Sequence, residues 1–179
     1  MTSPEFSRPV RLDTLGAEPR SFAVAAEPLE RAAVAARFGL AALDRLEAEL
    51  TLMRKGAEVL AKGVLKAAAS QSCVATGEPV PETVEERFEL VFRPVPQADT
   101  AEEEVELSEG ELDVVFYDGA SIDVGEAVAQ TLALSLDPYP RAHGSESALR
   151  EAGVRTEEEA RAESGPFAAL GALKDKLAK

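Results

Sequence analysis

Between Leu46 and Phe92 the chain alternates apolar and polar residues in three runs, and that period constrains the fold class more than any other feature. Leu46, Ala48, Leu50 and Leu52 alternate with Arg45, Glu47, Glu49 and Thr51, the pattern of a strand buried on one face. Arg54-Lys55-Gly56 reads as a turn, and Val59, Ala61, Gly63, Leu65 and Ala67 carry the period through a second strand. Glu, Leu, Ala and Lys also favour helices. An alternation that persists on both sides of the glycine favours a hairpin. Glu85 to Phe92 resumes the pattern, with Phe88, Leu90 and Phe92 on one face and Arg87, Glu89 and Val91 on the other.

A sheet with one apolar face needs a cover, and Ser121 to Pro140 reads as a helix able to supply it. Asp123 suits the N-cap, and Glu126 stands three residues on, where it can close a capping box. Val124, Ala127, Val128, Thr131, Leu132 and Ser135 follow helical spacing, with Leu134 and Leu136 widening the apolar face. Pro138 and Pro140 end the helix, since proline lacks the amide hydrogen and clashes with the preceding turn.

The remaining segments are shorter. Phe6 to Leu12 reads as a strand that Pro9 assigns to an edge, and Ser21 to Ala25 as another strand. Glu27 to Phe38 reads as a helix with Pro28 in its first turn, Gly39 as its stop, and Leu29, Ala33, Val34 and Phe38 inward. Residues 70–80 form the connection that closes the Val59–Ala67 strand. Val114 to Tyr117 is a short strand. The glutamate-rich run at about 97–112 reads as a loop, and about 141–164 as a loop-rich segment with one short helix at Thr156 to Glu163. Residues 165–177 return to helical spacing, with Phe167, Leu170 and Leu173 on one face and Lys174, Lys176 and Lys179 near the end. The expectation is a single α+β domain over 1–179: an antiparallel sheet, or a partly closed barrel, packed against a few helices.

Charge narrows the partners. The formal net charge is -14, which repels bare nucleic acid at long range and favours basic proteins. Direct RNA contact would need a local basic edge, for which Arg54, Lys55, Lys62 and Lys66 around the hairpin are the candidates, with Arg8, Arg11 and Arg20 near the start. The first residues have no apolar core of the secretory kind, and no apolar run approaches the ~20 residues of a membrane helix. A cytoplasmic location is expected.

Catalysis has little to work with. Cys73 is the one cysteine and His143 the one histidine, so no internal disulfide and no cysteine-built metal site can form within the chain. No phosphate-binding glycine motif is present. Cys73 reads as a packing residue and the Asp123/Glu126 pair as helix caps. No cofactor is expected. The rival reading is a metal-dependent enzyme acting on RNA or nucleotides through Asp99 and the glutamates at 102–104.

Three stretches, taken in order, resemble the YceD family of large ribosomal RNA accumulation proteins. They are Ser70 to Val80 with the Phe88-Leu90-Phe92 strand after it, Ile122 to Pro140, and Gly165 to Lys174. The matching positions include Gln71, Cys73, Glu78, Pro79, Asp123, Glu126, Pro140, Pro166, Phe167 and Lys174, and the similarity extends from about residue 40 onward. The resemblance implies a non-enzymatic role in accumulation or processing of the large-subunit (23S) ribosomal RNA and in large-subunit assembly. Many members carry a second cysteine three residues after the position of Cys73, and some carry further cysteines after the helix end. Here Thr76 and a cysteine-free segment from Arg141 stand instead, which puts any metal or redox role of such members in doubt for this chain.

Overall fold

A computed structural model describes residues 4–96 and 113–155. Three long strands form the body: β3 (Ala42–Lys55), β4 (Glu58–Ser72) and β5 (Pro79–Pro94), each antiparallel to the next. They realise the alternation read from Leu46 to Phe92. Leu46, Leu52, Val59, Leu65, Ala67 and Phe92 are all buried on one face, while Glu47, Glu49, Lys62, Lys66, Glu85 and Glu89 face outward. A two-residue turn at Gly56 and Ala57 joins β3 to β4, with Gly56 at φ 64°, in the left-handed region that glycine tolerates. The sheet is extended by β2 (Arg20–Ala25), antiparallel to β3, and by β6 (Asp113–Tyr117), giving the order β2-β3-β4-β5-β6.

Two features depart from a purely antiparallel sheet or a partly closed barrel. The sheet is open, and β6 runs parallel to β5 from Leu90 to Pro94. A run as short as Val114–Tyr117 carries no information on direction, which is set by where the preceding connection delivers the chain. A second, two-stranded sheet pairs β1 (Pro9–Arg11) with β7 (Ser121–Asp123), so the strand expected over Phe6–Leu12 is confined to three residues.

Two helices cover the apolar face. α1 (Pro28–Phe38) packs on β3, beginning at Pro28 and ending on Gly39 at φ 66°. Its inner face is Val34 and Ala35 with Phe38 alongside; Leu29, expected inward, is 86% exposed. Leu29 lies on the side of α1 turned from Val34 and Phe38. α2 (Val124–Ser135) lies over β4 and β5 and buries Val124, Ala127, Val128 and Leu132. It stops at Leu136, before Pro138. Leu134, expected to widen the apolar face, is 80% exposed, because it lies on the side of the helix turned from the sheet. Thr131 and Ser135 return their hydroxyls to the carbonyls of Ala127 and Thr131 at 2.9 and 2.8 Å, which satisfies them at the margin of the core.

A helix not foreseen, α3 (Ser145–Glu151), follows in the segment read as a loop; it is seven residues long and has too few large apolar residues to show a period. The helix read at Thr156–Glu163, the segment 165–177 and the acidic run at 97–112 lie outside the described residues.

Candidate functional site

The residues singled out by sequence gather at the two ends of α2. At its N-terminal end Asp123 is the organising group. Its carboxylate accepts from the Glu126 amide at 3.1 Å, the expected cap, and also from the Arg8 amide at 2.8 Å and the Ser7 hydroxyl at 2.5 Å. The Val124 amide donates in turn to the Arg8 carbonyl at 3.1 Å. One carboxylate thus closes the helix and clamps the segment Phe6–Arg8 across its first turn.

Glu126 does not complete the capping box. Its carboxylate is gripped by both terminal nitrogens of Arg37, each at 2.8 Å, and accepts from Gln130 at 2.8 Å. Arg37 also reaches Glu5 at 3.0 Å. Because Arg37 closes α1, its pairing with Glu126 ties the two helices together. The reciprocal half of a box occurs on α1 instead, where Glu30 accepts from the Glu27 amide at 2.7 Å and holds Arg8 by two short bonds. The pairings of Arg37 and Arg8 had no signal in the sequence, since their partners lie far along the chain.

The Arg37 guanidinium holds the Glu126 carboxyl below its ordinary value by hydrogen bonding. A carboxylate depressed on folding contributes stability that is present above its unfolded pKa and fades as pH falls through the folded one. Arg37→Gln is therefore expected to destabilise the protein most above about pH 5, with the gap to wild type closing in acid below about pH 4. Denaturant midpoints of the two proteins measured from pH 3 to pH 7 check this; a gap constant with pH would contradict it.

At the other end of α2, the β4–β5 connection meets the segment after the helix. Gln71 donates to Glu82 at 2.9 Å and to the Asp137 carbonyl at 3.0 Å. The Cys73 amide donates to the Glu78 carbonyl at 2.8 Å and the Gly77 amide to the Cys73 carbonyl at 2.9 Å, folding residues 73–78 into a tight loop. The Val74 amide then bonds the Pro140 carbonyl at 2.9 Å, and the Ala142 amide points at the Cys73 sulfur at 3.2 Å. Cys73 is 3% exposed, in keeping with a packing role. The Ala142 amide, and after it the Thr76 hydroxyl, pull its thiol down to about 6. Pro140 is buried, while Glu78 and Pro79 are exposed at the loop rim and His143 stands in the open.

Gln71, Cys73, Glu78, Pro79 and Pro140 are thus brought together. Asp123 and Glu126 form a separate centre at the opposite end of a twelve-residue helix, about 18 Å away. Pro166, Phe167 and Lys174 lie outside the described residues, as do Asp99 and the glutamates at 102–104. Among the described residues no group of three potential metal ligands occurs.

Arg54 and Lys62 are engaged within the chain, and the other basic candidates differ in their surroundings. Arg54 turns inward to the carbonyls of Leu12 and Gly56 at 2.9 Å each. Lys62 pairs with Glu89 at 2.5 Å. Lys66 stands in register between Glu47 and Glu85. Lys55 is exposed at the end of β3. Of the arginines near the start, Arg8 is held by Glu30 and Arg11 by Asp13.

A family profile described as "Large ribosomal RNA subunit accumulation protein YceD" matches residues 61–174. The chain belongs to the YceD family. The match takes in most of β4, all of β5, and α2 with Asp123 and Glu126, while their partners Ser7, Arg8 and Arg37 stand outside it. It begins at Ala61, later than the similarity read from about residue 40, so β3 and the elements before it stand outside the YceD match. The YceD description names an accumulation protein for ribosomal RNA and no catalytic activity. No curated protein and no solved structure matches the chain. No helix among the described residues is long and apolar enough to cross a membrane.

Proposed function

We propose that this YceD protein supports accumulation of the large-subunit (23S) ribosomal RNA, and with it large-subunit assembly, as a non-enzymatic cytoplasmic factor that binds a basic ribosomal protein or assembly factor. The observation that carries this reading is the state of its cations. The net charge is -14, and Arg8, Arg11, Arg37, Lys62 and Arg93 are each within 3.0 Å of a carboxylate of the same chain. A cation already paired offers little to a phosphate, since it must first give up its partner. RNA binding by counterion release needs many free cations acting together. A surface rich in carboxylates, by contrast, steers a basic protein toward it. Any RNA contact is local, and Lys55 at the hairpin end is its best-placed candidate. Affinity capture of the chain from cells, with and without nuclease, tests the proposal. Large-subunit components are expected on the chain, with a basic protein among them that survives nuclease.

A further inference from the structure

We propose that the outer edge of β2, at Ser21, Ala23 and Ala25, accepts an extended segment of a basic protein as an added strand of the sheet, its lysines or arginines leaning onto Glu49. β2 ends the five-stranded sheet, with β3 on one side and no strand on the other among the described residues. The Ala26 amide donates to the Leu46 carbonyl at 2.9 Å, in line with the register that sets Val24 opposite Ala48 and Phe22 opposite Leu50. Antiparallel ladders bond every second opposed pair. Phe22 and Val24 therefore turn their backbone groups to β3, and Ser21, Ala23 and Ala25 turn theirs away. The Ala25 carbonyl, on that outward side, accepts from Arg8 Nη2 at 2.8 Å. The other outward amides and carbonyls have no hydrogen-bond partner among the described residues. Sheet edges are ordinarily broken by proline, a bulge or a charge, which prevents pairing with another chain. Ser21 to Ala25 has none of these.

The face beside this edge selects the occupant. Two hollows of about 350 and 500 Å3 run along it and share Ala23 and Glu49. Glu49 is exposed, and its neighbours in register, Ala23 and Val64, carry no charge. Glu47, on the same face, meets Arg45 only at 3.8 Å. In the second hollow the lining cation, Lys62, is already held by Glu89. A strand added to β2 would lie ~4.8 Å from it and ~10 Å from β3. Only the short side chains of Ser21, Ala23 and Ala25 stand between, so a lysine or arginine can lean across to Glu49. The opposite face of the added strand would continue the core beside Phe22 and Val24, both half-buried at the end of the sheet. The occupant is thus an extended segment in which basic residues alternate with apolar ones, bound by strand addition. A second copy fits worse, because two chains carrying -14 each repel on approach. Such a contact rests on the basic-protein partner proposed above and gives it a place and a form.

Binding of a short labelled peptide of alternating lysine and valine to the purified full chain, followed by fluorescence anisotropy and amide exchange, tests the edge without any ribosomal component. Its failure would leave the affinity-capture result untouched, so the two readings fall separately. The peptide is expected to bind saturably and to slow exchange of the Ser21, Ala23 and Ala25 amides at least about tenfold. A peptide of the same composition with its lysines grouped at one end should bind at least about tenfold more weakly. Ala23→Pro removes an outward amide that the ladder with β3 does not use, and edge strands tolerate proline at such a position. Its Tm should stay within about 3 °C of wild type while peptide affinity falls about tenfold. Glu49→Lys should lower the affinity about tenfold as well. Absence of binding, equal binding of the grouped peptide, or binding indifferent to both substitutions would overturn the proposal. Edge protection that grows with protein concentration in the peptide-free chain would assign the edge to a second copy, and so would overturn it too. The exchange readout uses the wild-type chain and does not depend on how either variant folds.

Discussion

Gly125→Ala lowers the stability of the protein by about 3 kcal/mol, with a fall in Tm of about 10 °C. A methyl group at Gly125 would stand 2.6 Å from the Phe6 carbonyl oxygen and 2.9 Å from the Arg8 amide nitrogen. Both are backbone atoms, so no rotamer change can relieve the clash. Either the Phe6–Arg8 segment lifts away or the first turn of α2 shifts. The first course unseats Phe6, which is fully buried, and strains the bonds from Ser7 and Arg8 to Asp123. The second course pulls Val124 and Val128 from the core. Gly16→Ala supplies the control: its nearest neighbour beyond the adjoining residues is 4.0 Å away, and the change should stay within about 0.5 kcal/mol. Thermal unfolding of the two variants beside wild type measures the difference. Equal Tm values for Gly125→Ala and wild type would contradict the close crossing of chain and helix.

Gly63→Ala has an effect of the same size for a different reason. Phe22, Leu50, Gly63 and Phe88 form one cross-strand row over β2, β3, β4 and β5. β3 passes so close to Gly63 at Glu49 and Leu50 that only glycine leaves room there. A methyl group there would sit 2.5 Å from the Glu49 carbonyl and 2.7 Å from the Leu50 Cβ. Relief requires β3 and β4 to part at the centre of the sheet, which stretches ladder hydrogen bonds as well as packing. A loss of about 3 kcal/mol or more is expected, seen as a lower denaturant midpoint with an unchanged slope. The two variants also differ in where they loosen. Gly125→Ala should speed amide exchange first at Arg8 and Val124. Gly63→Ala should speed it across β3, β4 and β5 together.

Much of this sheet was legible because burial on one face imposes a two-residue period, which recurs in three runs between Leu46 and Phe92. Helix ends were legible for a similar reason: Pro28, Gly39 and Asp123 act locally, through backbone geometry or one hydrogen bond. What the sequence did not disclose depends on partners distant along the chain. Glu126 has the right spacing for a capping box, yet an arginine from another helix outcompetes the local amide for its carboxylate. Leu29 and Leu134 have the right chemistry for a core and the wrong position on their helices. Gly63 and Gly125 fitted a strand and a helix as ordinary residues, and only the neighbouring backbone reveals why they carry no side chain.

The candidate site was legible as two separate motifs and not as one place. Residues 70–80 and the Asp137–Pro140 turn stand far apart in sequence, and the bonds between Val74 and Pro140 and from Gln71 to Asp137 join them. Likewise the basic residues around the hairpin looked like an edge that RNA could use. In the fold Lys62 pairs with Glu89, Lys66 stands in register between Glu47 and Glu85, and Arg54 turns to backbone carbonyls, while Lys55 stays exposed. Cross-strand pairing of opposite charges stabilises the outer face of the sheet, and that pairing weighs toward a protein partner.

Affinity capture of the full chain from cells, with half of each sample treated with nuclease, tests the central claim most directly. The account predicts large-subunit precursors on the chain without nuclease and a basic ribosomal protein or assembly factor retained after it. Absence of every large-subunit component in both halves would contradict the account, and loss of all protein partners on nuclease treatment would contradict its mechanism.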